Sequence, residues 1–176
     1  STVFLYNKNL KLFSKASKTH KQIQKKLGYV EHDAEEIYKN ILFLLKKISK
    51  KVKFNNNMFL SITNQRETFV IFDALSGKPL HNAIVWQCRR GQKVCDKINE
   101  SSANKKLIKE DTGLTLDTYF PAPKLVQLLG SNNNLKEKLK NGSALFGTID
   151  TYLIYRLTKQ KSYTTDITNA SRTLFF

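Results

Sequence analysis

Acidic residues, arginine, cysteine and tryptophan are all scarce in this chain of 176 residues, and each scarcity narrows what the chain can be. Two cysteines, Cys88 and Cys95, make neither a disulfide framework nor a zinc ligand set. They are expected as reduced thiols, and their spacing would let them share a helical face. No apolar run approaches the roughly 18 residues needed to cross a bilayer. The opening STVFLYNKNL has no basic segment leading into a long apolar one, so it does not read as a secretory signal. The signatures GxxxxGK[ST], GxGxxG and HExxH do not occur.

The shortage of acid leaves a large positive charge. Asp+Glu is 14 against 30 Lys+Arg, for a formal charge of +16. A strongly basic domain suggests nucleic acid or an anionic surface. The lysines, however, are scattered among asparagine and isoleucine, and no stripe joins them to aromatics as a base-stacking platform requires. A solvated lysine surface is the expectation, with no nucleic-acid partner and no membrane span. Such a surface still favours the approach of anionic nucleotides. Hydrophobic and charged fractions of 40% and 25% are those of a folded globular domain, and the length suffices for one core.

Along the chain, Val3 and Leu5 alternate with polar or outward positions, Asn7-Lys8-Asn9 reads as a turn, and apolar character resumes through Ser17, predicting a β-hairpin. Asp33 stands as a helix N-cap with Glu36 at the capping-box position. Ile37, Ile41, Leu44, Leu45 and Ile48 follow at helical spacing, and lysines close the helix. Asn55–Asn57 read as a break and a surface lengthening. Met58–Ile62, Phe69–Phe72 and Ala83–Trp86 are expected as short strands, with a turn about Gly77. Helices are expected over Cys88–Ile98, in part of Ser101–Thr112 and around Leu125–Leu129. SNNNLKEKLKNG (131–142) reads as a solvated helix-and-turn region with disorder expected over Asn132–Asn134, Ala144–Leu157 as a buried strand or turn running into a helix, and residues 164–176 as extended. The sum is a mixed α/β layer architecture.

Residues 61–90, SITNQRETFVIFDALSGKPLHNAIVWQCRR, depart from the lysine-rich texture. They hold one lysine, three of the five arginines and the only tryptophan. Arg66 offers a planar fork of donors and Glu67 a two-oxygen acceptor. Together they match adjacent hydroxyl groups, each of which donates and accepts. Trp86 and Tyr119 suit the walls of such a polyol site. Residue chemistry alone leaves two readings open. Arg66 and Glu67 fit a surface pair as well as a ligand clamp, and Trp86 and Tyr119 fit a core. Arg89 and Arg90 read as a surface pair before a helix rather than a phosphate site. Asp166 reads as an Asx turn or cap rather than a catalytic carboxylate. His20, His32 and His81 are placed in loops with no catalytic role.

Six segments, GYVEHDAEEIY (28–38), SITNQRET (61–68), SGKPLHNAIVWQCRR (76–90), DTGLTLDTYF (111–120), LFGTIDTYLIYRLT (145–158) and TDITNASRTLFF (165–176), occur in the order of the FGGY carbohydrate kinase family, which the chain resembles along nearly its whole length. NQRE and NAIVWQ resemble its glycerol branch. The resemblance implies an α/β fold, actin-like and ribonuclease-H-like, with residues 1–176 as a partial N-terminal, substrate-binding domain. The family's opening strand and DxGTTS-like phosphate turn are expected before Ser1. Its catalytic Asp and adenosine-binding second domain are expected beyond Phe176, so no catalytic residue is assigned here.

The resemblance also implies phosphoryl transfer from ATP with Mg2+ to glycerol, giving glycerol 3-phosphate, in a cytoplasmic homodimer or homotetramer. The main ATP and Mg2+ sites are expected outside this chain. Arg66, Glu67 and Tyr119 match the family's contacts to glycerol hydroxyls, and Trp86 its apolar wall. Pro121 and Ile167 depart from the family pattern, and a different local loop shape is expected there. A non-catalytic binding or interaction domain of the same fold is the alternative.

Overall fold

The computed structural model describes residues 1–52 and 58–175, so the features read at Asn55–Asn57 lie outside the described residues. Strands β1 (Thr2–Tyr6) and β2 (Leu12–Ser17) form the expected antiparallel hairpin. Asn7 makes its turn: the side-chain Oδ1 accepts from the backbone N–H groups of Asn9 and Lys11 at 2.9 and 3.0 Å. An asparagine side chain thereby replaces a backbone turn carbonyl. Two short strands follow, β3 (Gln22–Ile23) and β4 (Glu31–His32). Helix α1 (Ala34–Ser49) starts on Asp33, whose carboxylate accepts from the N–H groups of Glu35 and Glu36 at 2.8 and 3.2 Å. The capping box closes on one side only, because the Glu36 carboxylate accepts instead from the Lys21 N–H. Leu44 and Ile48 of α1 are buried with Ala16 against Val3 and Leu5, which fixes the hairpin to the helix.

The main sheet has the order β3-β4-β6-β5-β7 and is antiparallel throughout, with β5 at Phe69–Asp73, β6 at Ala83–Ile84 and β7 at Ala144–Thr148. Phe69, Val70, Ile71 and Phe72 are all buried, the continuous apolar run of a strand covered on both faces. Phe69 and Ile71 pack with Val85, Cys88, Leu125, Leu128 and Leu135. Val70 and Phe72 pack with Ala34 and Ile37 of α1 and with Tyr152, Leu153 and Tyr155. Between β6 and β7 run helices α2 (Gln92–Asn99), α3 (Ser102–Thr112), α4 (Pro121–Gly130) and α5 (Asn133–Lys140); α6 (Ile149–Leu157) and α7 (Ile167–Ala170) follow β7. Among the described residues, no helix is long and apolar enough to cross a membrane.

Several expectations are corrected. Met58–Ile62 joins no strand, since no described segment pairs with it. Helix α2 begins at Gln92 rather than Cys88, because residues 85–91 are wound into turns, with the Cys88 N–H on the Val85 carbonyl and the Arg89 N–H on Gly28. The two cysteines therefore do not share a helical face, although both are free and buried. Asn132 is not disordered but caps α5, its Oδ1 accepting from the Leu135 N–H at 3.0 Å. The segment read as extended after residue 164 contains α7, capped by Asp166 as the Asx reading requires. Pro121 sits at the start of α4, where a missing N–H costs nothing and the fixed φ suits a helix. His32 lies in β4, its Nδ1 3.2 Å from Nε2 of His20.

Candidate functional site

The TNQRE segment lies before the buried strand β5, and Met58–Ile62 ahead of it forms no strand. Arg66 and Glu67 form a turn there. Arg66 is exposed, whereas Glu67 is only 2% accessible and has a φ of +58°, in the left-handed region. A side chain in that region costs about 1–3 kcal/mol unless its surroundings impose it. The surroundings here are charged. Arg172, in the turn after α7, donates from Nε to Oε1 of Glu67 at 2.8 Å. A second tie runs beside it. Asn64 and Asn169 exchange amide hydrogen bonds at 3.0 and 3.2 Å, and Asn169 also donates to Asp166 at 2.7 Å. Donors on Thr168 and Asn169 draw the Asp166 carboxyl down to about 2.

Contacts close a ring from Glu67 back to itself. The guanidinium of Arg172 lies 5.6 Å from the Tyr119 ring and 4.8 Å from the Phe120 ring. Tyr119 and Trp86 are half-buried and face each other at 5.3 Å between ring centres. The Trp86 N–H donates at 3.3 Å to Oγ1 of Thr68, the residue after Glu67. Thr68 in turn donates to Gln65 at 3.0 Å. Glu67, Trp86 and Tyr119 are thus brought together by four separated segments, with Arg66 at the rim beside Glu67. Trp86 packs against the edge of the core cluster, and both it and Tyr119 keep part of their surface accessible.

Two residues of this arrangement escaped the sequence reading. Arg172 carried a usable signal, being one of the few arginines in a lysine-rich chain, the same signal that singled out Arg66. Lys124 carried none. It is fully buried in the first turn of α4, and its Nζ donates to the carbonyls of Tyr119, Trp86 and Val85 at 2.9, 3.2 and 3.3 Å. Burial draws its ammonium down to about 7, and the nearby Cys88 and Glu67 oppose that shift.

Arg90, expected on the surface, is buried and donates to Oε1 of Glu31 at 2.5 Å, with its guanidinium 4.8 Å from the Tyr29 ring. Burial raises the Glu31 carboxyl, but hydrogen bonds from Arg90 and Asn82 outweigh it and hold the group below its ordinary value. Among the described residues no three His, Cys, Asp or Glu side chains gather to hold a metal ion.

The chain is similar to known proteins along its length. The chain matches the FGGY family of carbohydrate kinases, N-terminal domain, over residues 1–176. It is 42% identical to the glycerol kinase of Francisella philomiragia over all of this chain and 36% of that protein. It is 48% identical to the glycerol kinase of Saccharolobus islandicus over 85% of this chain and 29% of that one. Its fold superposes on a crystal structure of Plasmodium falciparum glycerol kinase with ADP at a TM-score of 0.92 and 38% identity, covering 99% of this chain and 35% of the other. The chain spans about a third of the length of the curated relatives it matches.

Proposed function

The chain belongs to the FGGY family of carbohydrate kinases, and from that premise we propose that residues 1–176 form a partial N-terminal, substrate-binding domain of an ATP-dependent glycerol kinase. The whole protein transfers the γ-phosphoryl group of ATP to a glycerol hydroxyl and releases glycerol 3-phosphate. It works in the cytoplasm, as a homodimer or homotetramer. Mg2+ accompanies the nucleotide. The described residues contain no cluster of His, Cys, Asp or Glu side chains fitted to hold that ion. The catalytic carboxylate that accepts the hydroxyl proton lies outside residues 1–176.

In this reading each side chain of the ring has one task. Arg66 donates to glycerol hydroxyls through its fork. Glu67 accepts from them, and the hydrogen bond from Arg172 holds that carboxylate in place. Trp86 covers the carbon chain, and the Tyr119 phenol adds a hydroxyl contact. A site built to satisfy hydroxyls discriminates strongly, because an analogue lacking one leaves buried polar groups unpaired. The observation that carries the reading is the buried Glu67 held in a left-handed backbone at the meeting point of four segments. Evolutionary convenience would place glycine there; a carboxylate kept at that cost has a use.

The test is glycerol titration into the full-length protein, with Arg66→Ala and Glu67→Ala beside it and folding checked by circular dichroism. Each substitution is expected to weaken binding about 10- to 100-fold. A folded Glu67→Ala protein that binds glycerol like the parent would sink the assignment.

A further inference from the structure

Lys124 is a lysine where the surroundings ask for a hydrocarbon. It shares α4 with the core residues Leu125 and Leu128, its Nζ reaches the carbonyl of the core residue Val85, and none of its surface reaches water. Burying an ammonium there is unfavourable unless every N–H finds an acceptor. An ammonium has three N–H donors, and three backbone carbonyls receive them. The identity of those carbonyls is the informative part. One belongs to Trp86, one to its neighbour Val85, and one to Tyr119. These are the two residues whose rings face each other across 5.3 Å. They lie in different segments, one following β6 and the other preceding α4.

A second feature holds the same two segments together. Gly91, the N-cap of α2, touches the first turn of α4 so closely that a Cβ there would lie 2.8 Å from Pro123 and 2.9 Å from the Lys124 nitrogen. The backbone after Trp86 therefore abuts the helix that carries Lys124. Steric contact sets the distance from below, and the three hydrogen bonds prevent separation.

Resting on the glycerol reading above, we propose that Lys124 is a positioning residue for the substrate site, fixing the separation of Trp86 and Tyr119 through their backbone carbonyls. It touches no substrate. Its contribution is the preorganisation of two walls that would otherwise move independently, and side chains held in this way bind without the cost of ordering them. Its loss therefore falls on glycerol affinity more than on nucleotide affinity.

The experiment uses the full-length protein with Lys124→Met, which keeps a stem of similar volume and removes all three donors. Lys124→Gln, which retains donors on a shorter stem, is the second variant. Glycerol KM is expected to rise about 10-fold or more in Lys124→Met, while ATP KM stays within about twofold. The emission contributed by Trp86, taken as the difference from Trp86→Phe, is expected to change in both Lys124 variants. Lys124→Gln should fall between the parent and Lys124→Met in glycerol KM. A folded Lys124→Met protein with unaltered glycerol KM overturns the proposal, and so does an equal rise in both KM values. Should Lys124→Met not fold, Lys124→Gln is judged by the same readings. Failure of both to fold assigns Lys124 to stability alone and also overturns it. A parent protein that phosphorylates no glycerol refutes the functional reading instead. Lys124 is then judged by Trp86 emission, and unchanged emission removes the positioning role.

Discussion

Glu67 and Arg172 stand 105 residues apart in the chain and meet at 2.8 Å, with the carboxylate buried and the guanidinium partly so. Pairs of that kind differ from surface ion pairs. An exposed pair contributes about 0.2–1 kcal/mol, because water screens it and two long side chains must be ordered. A buried carboxylate deprived of its donor is left unsatisfied, which costs about 1–3 kcal/mol. A double-mutant cycle of Glu67→Gln and Arg172→Gln, read by urea unfolding, is expected to give a coupling of about 1–3 kcal/mol. A coupling below about 0.5 kcal/mol would make the pair an ordinary surface contact. The sequence marked Glu67 because it adjoins an arginine in a stretch almost free of lysine, and Trp86 because it is unique. It did not mark Arg172 as the partner, since nothing local says that residues 67 and 172 converge. Arg90 was misread for the same reason. Its burial depends on Glu31, which arrives from another strand.

Helix α1, the first hairpin and the β7–α6 unit were legible because each carries its own signal: an N-cap, a period, or an asparagine turn. Elements whose limits depend on a neighbour were not. Met58–Ile62 has the composition of a strand, yet a strand exists only where another pairs with it. The start of α2 was placed too early because the apolar Cys88 fits a helical period, while contacts to Val85 and Gly28 hold the backbone in turns up to Gly91. Gly91 shows how element packing depends on one missing side chain. Its φ of −80° is open to any residue, so substitution there probes packing and not backbone strain. In Gly91→Ala the new methyl meets the backbone carbon of Pro123 and the backbone nitrogen of Lys124, which cannot rotate away. Overpacking of this kind costs about 1–3 kcal/mol. A lower urea midpoint with an unchanged denaturant slope is the expected result. A loss under about 0.5 kcal/mol, the range of a neutral surface change, would show that α2 and α4 separate freely.

Over the whole molecule, three of the five arginines act as staples in a surface of lysine. Arg90 binds Glu31, Arg156 binds Glu35 and Arg172 binds Glu67, each joining segments far apart in the chain. Lysine cannot replace a planar fork that grips a carboxylate while lying against a ring, as Arg156 does 4.0 Å from Tyr38. With a net charge of +16 and three glutamates committed in this way, the fold is exposed to acid in two stages. The first involves His20 and His32, both held below the ordinary imidazole value by burial, His32 down to about 4. Glu36 opposes the shift at both rings, but burial and the neighbouring positive charge outweigh it.

For His32 the folded chain refuses a proton that the unfolded chain accepts below about pH 6.5. Stability therefore falls as pH drops from about 6.5 to about 4, by on the order of 3 kcal/mol. The second stage belongs to Glu31 and Glu35. Arg156 holds Glu35 below its ordinary value, and hydrogen bonds do the same for Glu31 against its burial. Their contribution is present above the unfolded carboxylate range and is lost as pH falls through the folded values. Urea unfolding at stepped pH should show both losses. In His32→Gln the slope between pH 6.5 and 4 is expected to shrink while the loss at lower pH remains. An unchanged upper slope would show that the histidine pair does not govern the first stage, leaving the repulsion of the cationic surface as its cause.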